Sequence, residues 1–365
     1  MNPVGIGVIG AGVISDAYLK SMRSFPDLIV HAIGDLSPDA AKDKADTFGI
    51  ERHGGPEAVL NHPDVEIVVN LTVPAAHVEV ALAVLAAGKH VWSEKPLSLT
   101  REDGRKLLAT AQRAGLRVGC APDTVLGPGL QTAHRIIEKG DIGRPLTALT
   151  QLQGPGPESW HPNPAFLYQK GAGPLFDMGP YYLTALIQTF GPVAEVAALG
   201  SKAWNRRSVG SGPLAGTEFD VEVMTHISAI ARFESGQSAQ SIFSFDSPLS
   251  RSGVVEITGT DATLALPDPN RFDGEIKIRR RRSQSWETLA TTTARSERGT
   301  GVLEMARAIR EGRPHRASGA LALHVLDVMT CMNESITEGA FMDVESTSEV
   351  PAPLPDDWDP YVATL

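Results

Sequence analysis

A glycine-rich turn between an apolar strand and a helix lies near the start of the chain and limits the folds open to it. Residues 4–15 read VGIGVIGAGVIS, so Gly10 and Gly12 follow a predicted strand and a helix opens at Val13. Gly10 permits the tight turn, and Gly12 lets the backbone approach a pyrophosphate held by the N–H groups of Val13 and Ile14. In this context, the motif predicts a dinucleotide-binding site in a doubly wound α/β domain.

An acidic residue after the second predicted strand extends this interpretation. The strand at 28–34 ends directly before Asp35, whose carboxylate can bind both hydroxyls of a ribose. Leu36 and Ser37 follow, with no nearby Arg or Lys to receive a 2′-phosphate. The sequence therefore predicts NAD rather than NADP as the cofactor. A turn that only reverses the chain remains the alternative for the glycine motif.

Strand and helix patterns alternate as far as residue 121. Strands are predicted at 4–9, 28–34, 66–71, 89–93 and 116–120, with helices at 75–87 and 101–114 among the segments between them. Alternation at this spacing requires right-handed crossovers and gives a parallel sheet. We therefore expect a Rossmann domain, with a doubly wound parallel sheet, at residues 1–121.

The pattern changes in the second part of the chain, residues 122–365. Helices are predicted near 129–139, 181–190, 301–311 and 317–338, and strands near 194–203, 219–233, 238–246, 253–258, 262–266, 274–280 and 285–290. Consecutive strands without helices between them indicate antiparallel pairing. We expect an α+β domain whose large, mostly antiparallel sheet is covered by helices on one face.

Composition excludes several classes of protein. The 365 residues are 42% hydrophobic and 21% charged, which is typical of a globular enzyme. A net charge of -10 argues against nucleic acid or anionic membranes as partners. We interpret the arginine run at 279–282 as an exposed edge strand protected by charge rather than an anion site.

Cys120 and Cys331 are too few for a disulfide framework or a metal cluster. Without a signal sequence or an apolar run of about 20 residues, we expect a cytoplasmic protein with no metal site.

A charged segment ends the fifth predicted strand. Residues 89–96 read KHVWSEKP, which puts Glu94 and Lys95 where the carboxyl ends of parallel strands face the ligand crevice. Lys95 is thereby aimed at the position of a nicotinamide ring, and the proline after it fixes the chain. A solvated lysine at the end of a strand is the alternative.

Several segments together resemble the Gfo/Idh/MocA family, the group of glucose-fructose oxidoreductase and inositol dehydrogenases. They are Gly10-x-Gly12, Thr72-Val73-Pro74 with His77, Gly88-Lys89-His90-Val91, and Glu94-Lys95-Pro96. Residues 171–181, GAGPLFDMGPY, are similar to the family's glycine-rich entry to a helix that carries Asp and, four residues on, His or Tyr. The resemblance covers nearly the whole chain. It implies an NAD-dependent enzyme with cofactor-binding residues Gly10, Gly12, Val13, Ile14, Asp35, Thr72, Pro74, His77, Glu94 and Lys95.

The motif in the second half suggests which residues transfer a proton. Asp177 and Tyr181 share a helix face, and Pro180 between them is tolerable if it falls in the first turn, where its missing N–H is not needed. Oxidation of a secondary alcohol needs a group that accepts the hydroxyl proton as hydride leaves. We assign Tyr181 as this acceptor, Lys95 as its electrostatic partner and hydroxyl donor, and Asp177 as the residue that orients the substrate. Lys95 as the base, or Tyr181 as a packing aromatic, remain alternatives.

A third cluster suits a polyol or sugar, because aromatic rings stack on sugar rings and amide and imidazole groups bind hydroxyls. The candidate substrate-binding residues are Asp123, after the sixth strand, and Trp160, His161 and Asn163, in a loop before the helix, together with Lys95, Asp177 and Tyr181. The alternative is that the four added residues only anchor a long loop.

The resemblance implies oxidation of a secondary ring hydroxyl of a sugar, glycoside or cyclitol by hydride transfer to NAD. Two alternatives remain: a redox-neutral glycosidase or lyase that oxidises its substrate transiently and retains the cofactor, and a non-catalytic NAD-binding sugar sensor. The resemblance also implies that residues 122–365 bind substrate and form a homo-oligomer, a dimer or tetramer, through the outer face of the antiparallel sheet. Which carbohydrate is oxidised, and at which position, is left open.

Overall fold

The structure is a computed structural model that describes residues 2–291 and 295–365. The strands are β1 Val4–Ile9, β2 Leu28–Gly34, β3 Arg52–Gly54, β4 Ile67–Asn70, β5 His90–Ser93, β6 Val118–Cys120, β7 Pro145–Gln153, β8 Val193–Ser201, β9 Arg206–Ser208, β10 Glu218–Asp220, β11 His226–Phe233, β12 Ser238–Ser244, β13 Arg251–Gly259, β14 Ala262–Ala265, β15 Ile276–Arg280, β16 Glu287–Leu289 and β17 Met342–Asp343. The α-helices are α1 Val13–Met22, α2 Pro38–Phe48, α3 Pro56–Leu60, α4 His77–Ala86, α5 Arg101–Ala114, α6 Pro128–Glu138, α7 Gly173–Phe190, α8 Thr300–Arg310 and α9 Gly319–Glu338. Short 3-10 helices span Pro74–Ala76, Asp123–Leu126, Pro157–Ser159 and Ala165–Tyr168.

The chain divides into two compact units that differ from the predicted division at residue 121. The described residues of 1–128, 292–326 and 351–365 form the first unit, and those of 129–291 and 327–350 form the second. The prediction placed 292–326 and 351–365 in the second domain. In the structure, Val302 and Met305 of α8 lie in the apolar core under β1, and Leu354 packs on Val125 and Leu126. A local pattern cannot reveal a segment that returns to an earlier core.

The first unit contains the predicted parallel sheet. Its six strands have the order β3-β2-β1-β4-β5-β6, and all adjacent pairs are parallel. The strands β1 and β4 are fully buried and, apart from Asn70 at the end of β4, contain no polar side chain, as expected for a sheet covered on both faces. One core contains residues of α1 and α8, and another contains residues of α4 and α5. The prediction of a Rossmann fold is confirmed.

The second unit contains a nine-stranded sheet with the order β16-β15-β14-β13-β7-β12-β11-β8-β17. The helix α7 packs against β7, β11 and β12. Neighbouring strands are antiparallel except for β7 and β12, which pair in parallel. The prediction of a mostly antiparallel sheet is confirmed.

The sequence analysis missed β7, a central strand. Its buried positions hold the small and polar side chains Ala148 and Thr150, while Leu149 is 38% exposed. The hydroxyl of Thr150 donates a 2.8 Å hydrogen bond to that of Ser241 on β12. Apolar and polar residues are therefore not distributed as a half-buried strand requires, and the pattern of alternation is lost.

Two further predictions were wrong. The segment 219–233, predicted as one strand, forms β10 and β11, and β10 belongs to a separate two-stranded sheet with β9. The arginine run begins in β15, which pairs with both β14 and β16 and so is not an edge strand. The edge beyond it is the three-residue β16, which lies within the strand predicted near 285–290.

Candidate functional site

The glycine turn after β1 has the geometry that a bound pyrophosphate needs. Gly10 has φ +110°, and a Cβ there would lie 2.7 Å from the backbone of Leu71, so only glycine fits. Gly12 is the N-cap of α1, supplies no side-chain cap, and would have open space around a Cβ. The first amides of α1, those of Val13 and Ile14, are therefore open to an external acceptor.

The carboxylate of Asp35 is fixed beside this turn. One oxygen accepts a 2.7 Å hydrogen bond from the Ala11 amide, and the other accepts one of 2.8 Å from the Ser37 amide. Ser37 in turn caps α2, and Leu36 between them is 92% exposed. These bonds hold the acid at the carboxyl ends of β1 and β2, where a ribose would meet it.

The loops that follow β4 and β5 are tied together by a buried histidine. The two ring nitrogens of His77 lie 2.7 Å from the carbonyl oxygen of Pro96 and 3.0 Å from that of Thr72. Burial lowers the pKa of His77. Thr72 also donates its hydroxyl hydrogen to Asn70 at 2.7 Å, while Pro74 is exposed. Because His77 is only 1% exposed, it positions Thr72 and Pro96 instead of presenting a free ring to a cofactor.

Glu94 and Lys95 directly follow β5, and both are half-buried. The Tyr18 hydroxyl donates to one carboxylate oxygen of Glu94 at 2.8 Å, and the Lys95 amide donates to the other at 3.1 Å. Burial, and next the charge of Glu94, keep the pKa of Tyr18 well above its usual range, so its hydroxyl remains a donor. The sequence analysis did not single out Tyr18, because its partner Glu94 lies 76 positions further along the chain.

Asp123, predicted to bind substrate, is wholly buried and used inside the first unit. One of its carboxylate oxygens accepts hydrogen bonds from the amides of Gly299 at 2.8 Å and Gly301 at 3.2 Å, at the start of α8. The guanidinium of Arg298 lies 3.4 Å from the other oxygen. Burial raises the pKa of Asp123. We therefore assign this residue to the support of α8 and leave it out of the proposed substrate-binding set.

The predicted proton-transfer residues Asp177 and Tyr181 lie four positions apart on α7, and Tyr181 is 7% exposed. This helix begins at Gly173, with Pro174 in its first turn, so Pro180 does not meet the condition of lying in the first turn. Pro180 is inside the helix and removes one hydrogen bond of the backbone ladder. The glycine-rich entry starts the helix earlier than the apolar pattern alone suggested.

The adjacent tyrosine has a different environment. Tyr182 is fully buried, and its hydroxyl accepts a 2.8 Å hydrogen bond from the Gly253 amide. Its ring packs edge-on against Phe243, and burial raises the pKa of its hydroxyl. Tyr182 is therefore a packing aromatic, which makes it a matched control for Tyr181.

The predicted substrate residues of the loop before α7 form an exposed aromatic group. The ring of His161 lies 5.5 Å, edge-on, from each of the rings of Trp160 and Phe166, measured between centroids. Trp160 is 67% exposed, and the backbone amide of the exposed Asn163 donates to the His161 ring at 3.0 Å. The loop thus groups two aromatic rings, an imidazole and Asn163 within a few residues of one another.

The Rossmann strand order, the open amides after β1 and the fixed acid after β2 define a dinucleotide-binding protein. The chain belongs to the Gfo/Idh/MocA family: residues 4–121 match the family model for the NAD-binding Rossmann fold of these oxidoreductases, and residues 130–265 match that for the GFO/IDH/MocA C-terminal domain. The predictions of the family, of an oxidoreductase and of NAD as the cofactor are confirmed.

Three related proteins agree with this assignment. Levoglucosan dehydrogenase of Pseudarthrobacter phenanthrenivorans is 25% identical over 307 residues, 76% of each chain. An uncharacterized oxidoreductase of Rhizobium meliloti is 30% identical over 273 residues, 74% of this chain and 76% of its own. A solved levoglucosan dehydrogenase, in complex with NADH and L-sorbose, is 21% identical with a TM-score of 0.81, covers 94% of this chain and 99% of its own, and shows a shared fold.

The described residues contain neither a candidate membrane span nor a candidate metal site. None of the helices there combines the length and the apolar character needed to cross a membrane. Nor does the part of the chain given by 2–291 and 295–365 bring together three or more His, Cys, Asp or Glu side chains suited to a metal ion.

Proposed function

We propose that this protein is an NAD-dependent dehydrogenase that oxidises a secondary ring hydroxyl of a sugar, glycoside or cyclitol. The observation that carries the proposal is the position of Lys95, directly after β5, at the edge of the parallel sheet where the carboxyl ends of the strands face a ligand crevice. An ammonium group at this edge is suited to donate a hydrogen bond to a substrate hydroxyl. The name of the related levoglucosan dehydrogenase supports a carbohydrate as substrate.

Each proposed residue has a distinct role. The amides after β1 and the carboxylate of Asp35 would hold NAD, which would supply the hydride acceptor. The phenolate form of Tyr181 takes the hydroxyl proton and becomes a neutral phenol, Lys95 donates a hydrogen bond to the same substrate oxygen, and Asp177 orients the ring by accepting from a neighbouring hydroxyl. Trp160 supplies a face on which a sugar ring can stack.

The test is a screen of sugars, glycosides and cyclitols with purified protein and NAD, in which both NADH and the carbohydrate product are measured. We expect NADH to accumulate in step with a ketone product. An altered carbohydrate without net NADH would favour the redox-neutral alternative. Tight binding of a sugar with no change in it would favour the sensor.

We expect NAD to bind at least about tenfold more tightly than NADP, a difference of roughly 1.4 kcal/mol. The carboxylate of Asp35 would repel a 2′-phosphate, and positions 36 and 37 hold no basic side chain to offset this. Calorimetric titration of the wild-type protein with both cofactors measures the ratio. In Asp35→Ser the preference should shrink, whereas equal binding by the wild type would show that Asp35 does not select the cofactor.

We also propose a homo-oligomer that covers the open face of the nine-stranded sheet. The residues on this face that line a groove of about 550 Å³ include Leu149, Leu199, Ile230 and Ile242. Cross-strand register puts these four on the same face, and Leu199 is 76% exposed. Contiguous exposed apolar residues of this kind mark an interaction surface, and a second copy of the chain would cover it in a closed symmetric assembly.

Sedimentation at micromolar concentration should therefore give a dimer or tetramer. Leu199→Lys should shift the equilibrium from the assembly toward the monomer, because a charge buried in an apolar interface is costly. Ile29→Lys, at an exposed apolar residue of β2 in the first unit, is the control and should leave the assembly unchanged. A wild-type monomer would refute the proposal.

We propose a cytoplasmic location, which the state of the two buried cysteines supports. Neither Cys120 nor Cys331 forms a disulfide, as suits a reducing compartment. Fractionation of cells that express the protein at natural levels would test this, and recovery outside the cytoplasm would contradict it.

A further inference from the structure

A buried arginine of the second unit connects its own strand to two segments that are distant in sequence. Arg207 lies on β9, and its side chain is only 4% exposed. One terminal nitrogen donates to the carbonyl oxygen of Pro155 at 3.1 Å and to the carboxylate of Glu158. The other donates to the carbonyl oxygen of Phe245 at 3.0 Å and to the carboxylate of Asp246. The two acidic partners lie before α7 and after β12.

The remaining oxygens of these carboxylates are also occupied. The hydroxyl of Tyr168 donates to the second oxygen of Glu158, and the hydroxyl of Thr225 donates to that of Asp246 at 2.7 Å. Tyr168 is fully buried, and its ring centroid lies 5.1 Å from the guanidinium carbon of Arg207. The four carboxylate oxygens and both terminal nitrogens of Arg207 are thus bonded, while its buried Nε has no partner among the described residues. Bonds in these fixed directions hold the guanidinium and both carboxylates in one arrangement. We call Arg207, Glu158, Asp246 and Tyr168 the Arg207 network.

The Arg207 network holds both ends of the loop that carries the exposed aromatic group. Glu158 lies in the 3-10 helix Pro157–Ser159, and the amides of Trp160 and His161 donate to the Pro157 carbonyl at 3.1 and 2.7 Å. Tyr168 ends the second 3-10 helix, Ala165–Tyr168. The hydrogen bond between Tyr168 and Glu158 therefore closes the segment from 158 to 168 into a fixed loop.

From this geometry we infer that Arg207 is a positioning residue for substrate recognition. It fixes the loop so that Trp160, His161 and Phe166 keep one arrangement before the substrate arrives. The inference rests on the proposed function, since it assigns these side chains to the carbohydrate. Preorganisation reduces the entropy lost when the substrate binds, so its loss raises KM more than it lowers kcat.

The main test replaces Arg207 by Met and by Lys. The matched control is Arg206→Met, on the same strand, because Arg206 is 60% exposed and forms surface ion pairs with Glu218 and Asp220. We expect Arg207→Met to raise KM for the best substrate about tenfold or more, with kcat within about threefold and NAD affinity unchanged. Arg207→Lys should recover only part of this loss, because an ammonium group cannot reach four acceptors in two directions.

Amide hydrogen exchange of residues 154–168 gives a readout that does not depend on activity. Exchange there should accelerate in Arg207→Met and stay unchanged in Arg206→Met. If Arg207→Met does not fold, Gly156→Ala replaces it: Gly156 has φ +99°, and a Cβ would overlap Glu158, Tyr168 and Arg207.

The outcomes separate the two proposals. Faster exchange with a raised KM supports the inference, and either a KM within about twofold of the wild type or unchanged exchange overturns it. If the wild-type protein oxidises no carbohydrate, the proposed function fails. The role of Arg207 is then decided by two comparisons of Arg207→Met with the wild type. These are amide hydrogen exchange of residues 154–168 and the affinity for any sugar that binds.

Discussion

Lys95→Ala and Tyr181→Phe should each reduce turnover by about 10²- to 10⁴-fold, the usual effect of removing a group that handles the proton in the rate-determining step. Both variants should bind NAD as the wild type does, because the turn after β1 and Asp35 are untouched. Steady-state kinetics with the substrate found in the screen, together with cofactor titration, measures both effects.

Each of these residues has a control of the same type in the same unit. Lys89 is 8% exposed, and its amine donates to the carbonyl oxygens of His62 and Val65 at 2.8 Å, so Lys89→Met should lower stability and spare kcat. Tyr182→Phe should also lower stability and spare kcat, because the hydroxyl it loses accepts a hydrogen bond from the Gly253 amide.

The kinetics also decide between the two candidate bases. If Tyr181→Phe keeps near-native oxidation while Lys95→Ala does not, Lys95 is the base. Near-native activity in both variants would remove the catalytic assignment of these residues altogether.

Arg307→Met should destabilise the protein by about 3–5 kcal/mol, the cost of leaving one member of a buried ion pair unpaired. Arg307 and Asp27 are joined at 2.8 Å with side chains 3% and 1% exposed. Arg307 also donates to the carbonyl oxygens of Asp359 at 3.0 Å and Val362 at 2.7 Å, so its loss frees residues near the end of the chain as well. Denaturant unfolding monitored in the apo protein measures the change.

Arg310 on the same helix provides the comparison. It pairs with Glu66 at 2.6 Å, but the two side chains are 22% and 39% exposed. Solvent screens such a pair, so Arg310→Met should cost no more than about 1 kcal/mol. Equal losses in the two variants would show that burial does not set the strength of these pairs.

The buried pair of Asp27 and Arg307 also predicts how stability depends on pH. Burial alone would raise the pKa of Asp27, but hydrogen bonds from the Thr364 and Leu365 amides and from Arg307 outweigh it and hold the pKa below its ordinary value of 3.8. The folded state therefore gains stability from this group above the unfolded pKa and loses it as pH falls through the folded pKa. Asp27→Asn should flatten this part of the acid unfolding curve, and an unchanged curve would contradict the assignment.

The sequence by itself determined the features that short segments specify. The turn from β1 into α1 was predictable because Gly10 adopts a positive φ that favours glycine, while Gly12 supplies no side-chain cap and leaves the first helix amides open. The alternation of strands and helices fixed the parallel sheet, because right-handed crossovers leave few other arrangements. Asp35 was also predictable, because it directly follows β2 and the end of this strand faces the ribose.

The tertiary structure alone decided which polar residues are buried and what they hold. Asp123 and Trp160 were equally plausible substrate residues in the sequence, yet Asp123 caps α8 through Gly299, 176 positions away, while Trp160 is exposed. Arg207 carried no local signal, although four acceptors from two distant segments converge on it. A side chain's environment depends on the partners that folding brings to it, and local spacing contains no information about partners so far along the chain.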